Sequence, residues 1–176
     1  MRQLLLLRHA KSSWDDPKLA DHARPLNSRG RKAAAAMGRA MRELGLAAPD
    51  VVLVSSARRT LQTLEALEPL DETPLIEPLD ALYLASGQQI LKLVHGVAET
   101  ARSVLVIGHN PGLHEFALLI AGAHAKQEKA GRRLAEGYPT GALAEFMIAG
   151  PWWQLEQGGA VLTRFLVPRD LPEMAA

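Results

Sequence analysis

Short apolar runs alternate with longer amphipathic stretches along most of the chain. Four of the short runs are typical of buried strands, and they cover residues 3–7, 51–54, 75–78 and 103–107. The stretches between them carry apolar residues at helical spacing, as in residues 28–44, where Gly45 marks the predicted end. Strands that alternate with helices predict crossover connections and a largely parallel sheet.

Three further helices are predicted from their starting residues. One begins near Ser56. Another opens at Ser86 with a capping-box pattern, in which Gln89 stands three residues later. The last opens at Asn110, a good N-cap, followed by Pro111 at the first helical position.

The last third of the chain has a different pattern. Residues 122–140 are polar and irregular, which predicts a long surface loop or a lid. Two strand-like runs at 142–148 and 160–167 predict a hairpin whose connection contains Trp152 and Trp153. We therefore expect one α/β domain over 1–168, a three-layer sandwich with a mostly parallel sheet and helices on both faces. A frayed tail is expected at 169–176.

Composition narrows the class of protein. The 176 residues are 48% hydrophobic and 22% charged, as in a globular domain. The net charge of +1 does not favour nucleic-acid binding. The absence of cysteine excludes disulfides, thiolate metal ligands and cysteine nucleophiles. No signal peptide or membrane span is evident, so a cytoplasmic location is expected. The sequence has no strong exposed-stripe pattern for a partner, so a monomer is expected.

Polar residues collect where three of the predicted strands end. Arg8, His9 and Lys11 follow the first strand, 55–59 follows the second, and His109 with Asn110 follows the fourth. In an open parallel sheet, ligands bind in the crevice beyond the carboxyl ends of the strands. The three loops are therefore predicted to lie at one edge of the molecule and to form one pocket.

Such a pocket suits a phosphate dianion. Arginine donates two parallel hydrogen bonds to phosphate oxygens, and helix N-termini favour anions. Arg58 and Arg59 fall in the first turn of their helix, where the helix dipole disfavours a cation by about 0.3–1 kcal/mol. A bound anion would remove that cost.

Two histidines in the pocket would have different tasks. One could attack phosphorus and carry the phosphoryl group, while the other donates a hydrogen bond to a phosphoryl oxygen. These residues also allow simpler interpretations. Either histidine could be a surface or metal-binding residue, although no carboxylate or cysteine completes a metal site at recognisable spacing, and the arginines could form a solvated helix face.

Several segments resemble a known family. LLRHAKS, residues 6–12, resembles the Arg-His-Gly signature of the histidine phosphatase superfamily, which includes phosphoglycerate mutases. Ala10 stands in place of the glycine, as in the small bacterial phosphohistidine phosphatases of the SixA type. SSARRTLQT and VLVIGHNPGL resemble the stretches with the second arginine and the second histidine, and DHARPLNSRG and LYLAS resemble the SixA subgroup. The similarity extends from Leu4 to about Ile148.

The resemblance implies a phosphoglycerate mutase-like fold and a role for each matching residue. His9 is the implied nucleophile, with Arg8, Arg59 and His109 as the phosphate clamp. Asp80, in LDALY, falls where the family carries its proton donor. Four residues are assigned to the rim of the pocket: Lys11, Arg24, Asn110 and Thr140. No metal and no cofactor is implied.

The expected activity is that of a metal-independent phosphatase with a phosphohistidine intermediate. A short chain without long insertions suggests an open pocket, which could accept phosphohistidine carried on a protein. Imidazole also leaves more readily than an alkoxide. Three alternatives stay open: a broad small-molecule phosphomonoesterase, a non-catalytic phosphate-binding module and a metal-dependent hydrolase. The expected partner is a phosphorylated substrate, with neither nucleic acid nor membrane involved.

Overall fold

A computed structural model describes residues 1–174. Six strands form one sheet, and their bounds are β1 Arg2–Arg8, β2 Val51–Ser55, β3 Leu75–Leu79, β4 Ser103–Gly108, β5 Leu143–Ile148 and β6 Val161–Leu166. The helices are α1 Ser28–Glu43, α2 Arg58–Leu67, α3 Gly87–His95, α4 Gly112–Ala121 and α5 Lys129–Glu136. The strand order in the sheet is β3-β2-β4-β1-β5-β6.

The first four strands are parallel to one another. β1 pairs with β4 in parallel, and β2 pairs in parallel with both β3 and β4. β5 and β6 add an antiparallel hairpin beyond β1. The carboxyl ends of β1, β2 and β4 therefore meet at one edge, as the sequence predicts.

Helices cover both faces of the sheet. Leu5 and Leu7 point to the core beneath α1 and α2, while Leu4 and Leu6 point to the core beneath α3, α4 and α5. This explains why β1 is a continuous run of leucines: both of its faces are buried. The predicted α/β sandwich, a mostly parallel sheet with helices on both faces, is confirmed.

The region 122–140 is not the surface loop or lid that its polar composition predicts. It contains a short 3-10 turn at Ala123–Gln127 followed by α5. Leu134 of α5 is fully buried, and Gly131 packs against the backbone of Ala125, whose carbonyl oxygen would lie 1.8 Å from an added Cβ. A helix held by one apolar contact and one close backbone approach leaves only a weak sequence signal.

Two further predictions, the N-cap of α4 and the frayed C-terminal tail, differ from the structure. Pro111, not Asn110, is the N-cap of α4, because the Asn110 carboxamide donates instead to the carbonyl of Tyr138 at 2.9 Å. The tail is not frayed through Met174: Leu171 is buried in the core and Glu173 pairs with Arg39. Residues 175–176 of the predicted tail lie outside the described residues. No helix in residues 1–174 has the length and apolarity to cross a membrane.

Candidate active site

The loops that follow β1, β2 and β4 enclose a pocket of about 390 Å³. All four residues assigned to the nucleophile and clamp line it, and so do the four assigned to the rim. The full lining is Arg8, His9, Lys11, Ser12, Trp14, Arg24, Arg59, Leu84, His109, Asn110 and Thr140. Residues up to 132 positions apart in the chain thus line one pocket. The parallel strands β1, β2 and β4 end there, and Thr140 precedes β5, which runs antiparallel to β1 and so begins at the same edge.

His9 is held in one tautomer by its own loop. Its Nδ1 lies 2.7 Å from the carbonyl oxygen of Ala10, which can only accept, so Nδ1 carries the proton. The other ring nitrogen, Nε2, therefore keeps its lone pair. The loop itself is fixed, because the Ala10 amide donates to Thr63 Oγ1 at 3.0 Å. The arrangement gives His9 an unprotonated ring nitrogen, which nucleophilic attack requires.

His109 has the opposite tautomer. Its Nδ1 lies 3.4 Å from an Arg59 Nη, and a guanidinium can only donate, so Nδ1 is an acceptor. Nε2 then carries the proton and donates to Ser55 Oγ at 2.7 Å. The rings of His9 and His109 lie 5.3 Å apart between centroids. Ser55 is fully buried and acts on the site through His109, a contact that sequence spacing does not show.

Both imidazoles are neutral near pH 7. Burial, opposed in part by the hydrogen bond to Ala10 and assisted by nearby arginines, lowers the pKa of His9 to about 4. Burial also lowers the pKa of His109 to about 3, with further contributions from His9 and Arg59. Only a neutral imidazole has the lone pair that attack on phosphorus requires.

Of the two clamp arginines, Arg8 retains a donor for a ligand, because its Nη2 makes no hydrogen bond within residues 1–174. Arg59 is 3% exposed, and Arg8 donates through Nη1 to the carbonyl of Tyr138 at 3.0 Å. Burial lowers the pKa of Arg8, although an arginine remains charged at any ordinary pH. The Nε atoms of Arg8 and Arg59 are buried and have no hydrogen-bond partner within residues 1–174. Unpaired buried donors are costly, and these two atoms lack the exposure that direct contact with a ligand oxygen needs.

Asp21 connects the arginines and was not identified from the sequence. Its Oδ1 accepts from Arg24 Nε at 3.1 Å, and its Oδ2 accepts from Arg59 Nη2 at 3.0 Å and from the Tyr83 hydroxyl. The hydrogen bond from Tyr83, together with the two arginines, lowers the pKa of Asp21 to about 2. The carboxylate therefore stays ionised and orients Arg59. Its sequence signals are its position three residues before Arg24 and its place at the start of DHARPLNSRG, the segment that resembles the SixA subgroup.

Asp80 is not brought to the pocket. Its carboxylate accepts a hydrogen bond from Ser56 Oγ at 2.5 Å, and Asp80 is absent from the pocket lining. Asp80 begins the 3-10 turn Asp80–Leu82 that directly follows the edge strand β3, and the chain reaches the pocket only at Leu84, four residues later. The structure thus provides no support for Asp80 as the proton donor.

The mouth of the pocket is partly aromatic. Trp14 is 75% exposed and covers the guanidinium of Arg24, whose Cζ lies 3.5 Å from the centre of the indole ring. Trp152, by contrast, is buried and donates to the carbonyl of Ala101, and it lies outside the pocket lining, as does Trp153. Within residues 1–174, no group of three His, Asp or Glu side chains is arranged to hold a metal ion.

Comparisons with known proteins agree with this fold. A family model of the histidine phosphatase superfamily (branch 1) matches residues 4–80. An uncharacterized protein of Mycobacterium tuberculosis is 34% identical over 166 residues, covering 93% of this chain and 100% of that protein. The chain belongs to the histidine phosphatase superfamily (branch 1), and the resemblance found in the sequence is confirmed.

Solved structures place the chain near the SixA proteins. The structure of SixA from Nakamurella multipartitia is 33% identical, with a TM-score of 0.82 over 95% of this chain and 96% of that one. SixA from Agrobacterium tumefaciens is 28% identical, with a TM-score of 0.77 over 95% and 98%. The family and these neighbours support phosphatase activity.

Proposed function

We propose that this protein hydrolyses phosphohistidine carried on another protein, through a phosphoryl group held covalently on Nε2 of His9. The observation that carries the proposal is the state of His9. It is a buried, neutral imidazole whose Nδ1 proton is held by Ala10, and it shares a pocket with Arg8, Arg59 and His109. A module that only binds phosphate would need the arginines but not a preorganised nucleophile.

The reaction has two steps. In the first, a bond forms from His9 Nε2 to phosphorus while the bond from phosphorus to the substrate imidazole breaks, and that imidazole leaves neutral because its other ring nitrogen carries a proton. In the second, water attacks phosphorus, the electron pair of the P–N bond returns to Nε2, and inorganic phosphate departs with both protons of the water. The phosphorylated ring of His9 is cationic when Nδ1 keeps its proton, and the 2.7 Å contact with the Ala10 carbonyl stabilises that charge.

The clamp supplies the electrostatic part of catalysis. Arg8 and Arg59 are positioned to pair with the equatorial oxygens of the phosphoryl group, where negative charge resides in the transition state. Arg8 Nη2, which makes no hydrogen bond within residues 1–174, provides a donor beyond those already used by protein groups. His109 also lines the pocket, 5.3 Å from His9 between ring centroids, but both of its ring nitrogens have protein partners, Ser55 and Arg59. In this tautomer it does not supply the hydrogen bond to a phosphoryl oxygen that the sequence predicts.

The lack of a general acid in the pocket lining indicates which kind of leaving group the site suits. The residues that line the pocket include no aspartate or glutamate, and the neighbouring Asp21 is ionised because its pKa is about 2. An alkoxide needs a proton from a general acid before it can leave, whereas an imidazole departs without a strong acid. This favours a phosphohistidine substrate over an alkyl phosphomonoester.

A trapped intermediate tests the mechanism. The enzyme is mixed briefly with a synthetic peptide carrying phosphohistidine, denatured at alkaline pH and analysed by mass spectrometry. We expect one phosphoryl group on His9, and none in His9→Ala. His124→Ala, which removes an exposed histidine outside the pocket, is the control and should retain the adduct. Phosphate release by the wild type without any adduct would indicate direct attack by water.

Substrate class is tested by comparing leaving groups. We expect kcat/KM for the phosphohistidine peptide to exceed that for an alkyl phosphomonoester such as phosphoserine by at least about 100-fold, because the pocket lining has no general acid. Steady-state rates on both substrates provide the measurement. Equal values would favour a broad phosphomonoesterase instead.

Metal independence is a separate prediction. We expect unchanged activity after extended treatment with EDTA, because the arginines supply the positive charge that a metal would otherwise provide. Loss of activity that Mg²⁺ or Zn²⁺ restores would contradict this prediction. Location in the cytoplasm and a monomeric state also stay predictions, the second of which sedimentation can measure.

A further inference from the structure

A basic surface continues from the active-site pocket along the N-terminus of α1. The pocket shares Lys11 and Thr140 with a neighbouring depression of about 370 Å³, which Arg29 and Arg169 also line. That depression shares Arg29 and Met174 with a third one of about 410 Å³, which contains Lys32. We define the basic groove by its four cations: Lys11, Arg29, Lys32 and Arg169.

The cations of the basic groove have no partners within residues 1–174. All four side chains are exposed, and none makes an ion pair, although six other ion pairs occur in this part of the chain. One acidic side chain, Glu173, lines the groove, and it is paired with Arg39 at 3.1 Å. Four unpaired like charges side by side repel one another.

The helix that carries Arg29 and Lys32, α1, adds a second unfavourable interaction, between a cation and the helix dipole. Arg29 lies in the first turn of α1, which contains no acidic residue, so its charge opposes the helix dipole. The start of α1 is also fixed against the active-site loop: the Asn27 amide donates to the Lys11 carbonyl at 3.0 Å, and an added Cβ on Gly30 would lie 2.1 Å from that oxygen. The groove is therefore held rigidly beside the pocket.

We propose that the basic groove binds an acidic surface of the phosphorylated protein, next to the phosphohistidine that enters the pocket. The inference rests on the proposed function, which makes the ligand of the pocket a side chain of a protein. The groove begins at the pocket itself, so the chain that flanks the phosphohistidine reaches it directly. Carboxylates there would neutralise both the mutual repulsion and the conflict with the helix dipole.

The test uses two synthetic peptides that share a central phosphohistidine. In one peptide the flanking positions are glutamate, and in the other they are lysine. We expect kcat/KM to be about tenfold or more higher for the acidic peptide at low salt, since each exposed ion pair contributes a few-fold at most and several act together. The preference should decline as salt is raised, because exposed charges are screened.

Charge reversal locates the effect. The variant R29E/K32E/R169E should lose the preference for the acidic peptide and keep wild-type activity on phosphoramidate, a small substrate that does not reach the groove. The matched control R102E/K126E/K129E removes the same charge from exposed residues that do not line the groove, and it should keep the preference. Equal rates on both peptides with the wild type would overturn the proposal while leaving the phosphatase intact.

A binding measurement separates the groove from catalysis. Fluorescence anisotropy of both peptides on His9→Ala reads affinity without turnover, so it applies even if the proposed chemistry is wrong. We expect the acidic peptide to bind about tenfold more tightly, and the groove reversals to remove the difference. Tighter binding of a single-stranded oligonucleotide than of the acidic peptide would overturn the proposal in favour of a nucleic-acid surface.

Discussion

At the scale of single residues, the site depends on two imidazoles with opposite tautomers. His9 places its proton on Nδ1 because a carbonyl faces that atom, and His109 places its proton on Nε2 because a guanidinium faces its Nδ1. Each partner comes from a fixed backbone or a buried side chain, so neither neutral ring is free to change tautomer. The proposed nucleophile, His9, keeps its lone pair on Nε2, whereas both ring nitrogens of His109 have protein partners.

Substitutions of Asp21 and Asp80 are expected to change kcat/KM to very different extents. Asp21→Asn removes the charge that orients Arg59, so we expect kcat/KM to fall about 10- to 100-fold, the value of a charged hydrogen bond. Asp80→Asn is the matched control and should change kcat/KM by less than about threefold, because Asp80 does not line the pocket. The inhibition constant of inorganic phosphate should change only in Asp21→Asn. A large loss in Asp80→Asn would restore Asp80 as a proton donor.

At the scale of elements, the strands determine what the sequence can reveal. Residues that directly follow β1, β2 and β4 could be assigned to one site because parallel strands end at one edge. Asp80 also follows a strand, and the sequence does not show that this strand is at the edge of the sheet. Asp21 lies in a 3-10 turn between β1 and α1, where no periodic pattern indicates which way its side chain points. Strand order and loop paths depend on tertiary packing, which a hydrophobic pattern does not encode.

The packing at the start of α1 predicts that a side chain at Gly30 lowers both stability and activity. Gly30→Ala places a Cβ 2.1 Å from the Lys11 carbonyl, so the helix and the active-site loop must separate. We expect a loss of about 2–4 kcal/mol in the free energy of unfolding, comparable to overpacking a core, and a lower kcat. Urea unfolding and steady-state kinetics provide the measurements.

Gly96→Ala is the control for that change. Gly96 also lies at the end of a helix, but the nearest atom to an added Cβ is 3.5 Å away, an ordinary contact. We expect its unfolding free energy to stay within about 0.5 kcal/mol of the wild type. If Gly30→Ala also left the free energy of unfolding unchanged, α1 would not be packed closely on the loop that carries His9.

At the scale of the whole molecule, the site and the stability of the fold are linked through protons. An unfolded histidine titrates near pH 6.5, whereas the folded pKa values are about 4 for His9 and about 3 for His109. Between these values the unfolded chain binds more protons than the folded one. The contribution of the two histidines is therefore fully present above about pH 6.5 and is lost as the pH falls toward 4 and then 3.

We accordingly expect the free energy of unfolding to fall by about 2 kcal/mol per buried histidine between pH 7 and pH 5. His9→Asn should make this dependence shallower, whereas His124→Asn, at an exposed position, should leave it unchanged. Inorganic phosphate should also flatten it, because a bound dianion favours the protonated imidazoles and binds only the folded state. Urea titrations at pH 7, 6 and 5 measure the slope. A stability that is constant or rises toward pH 5 would show that these imidazoles are not held neutral, and the attacking lone pair on His9 would then lack its physical basis.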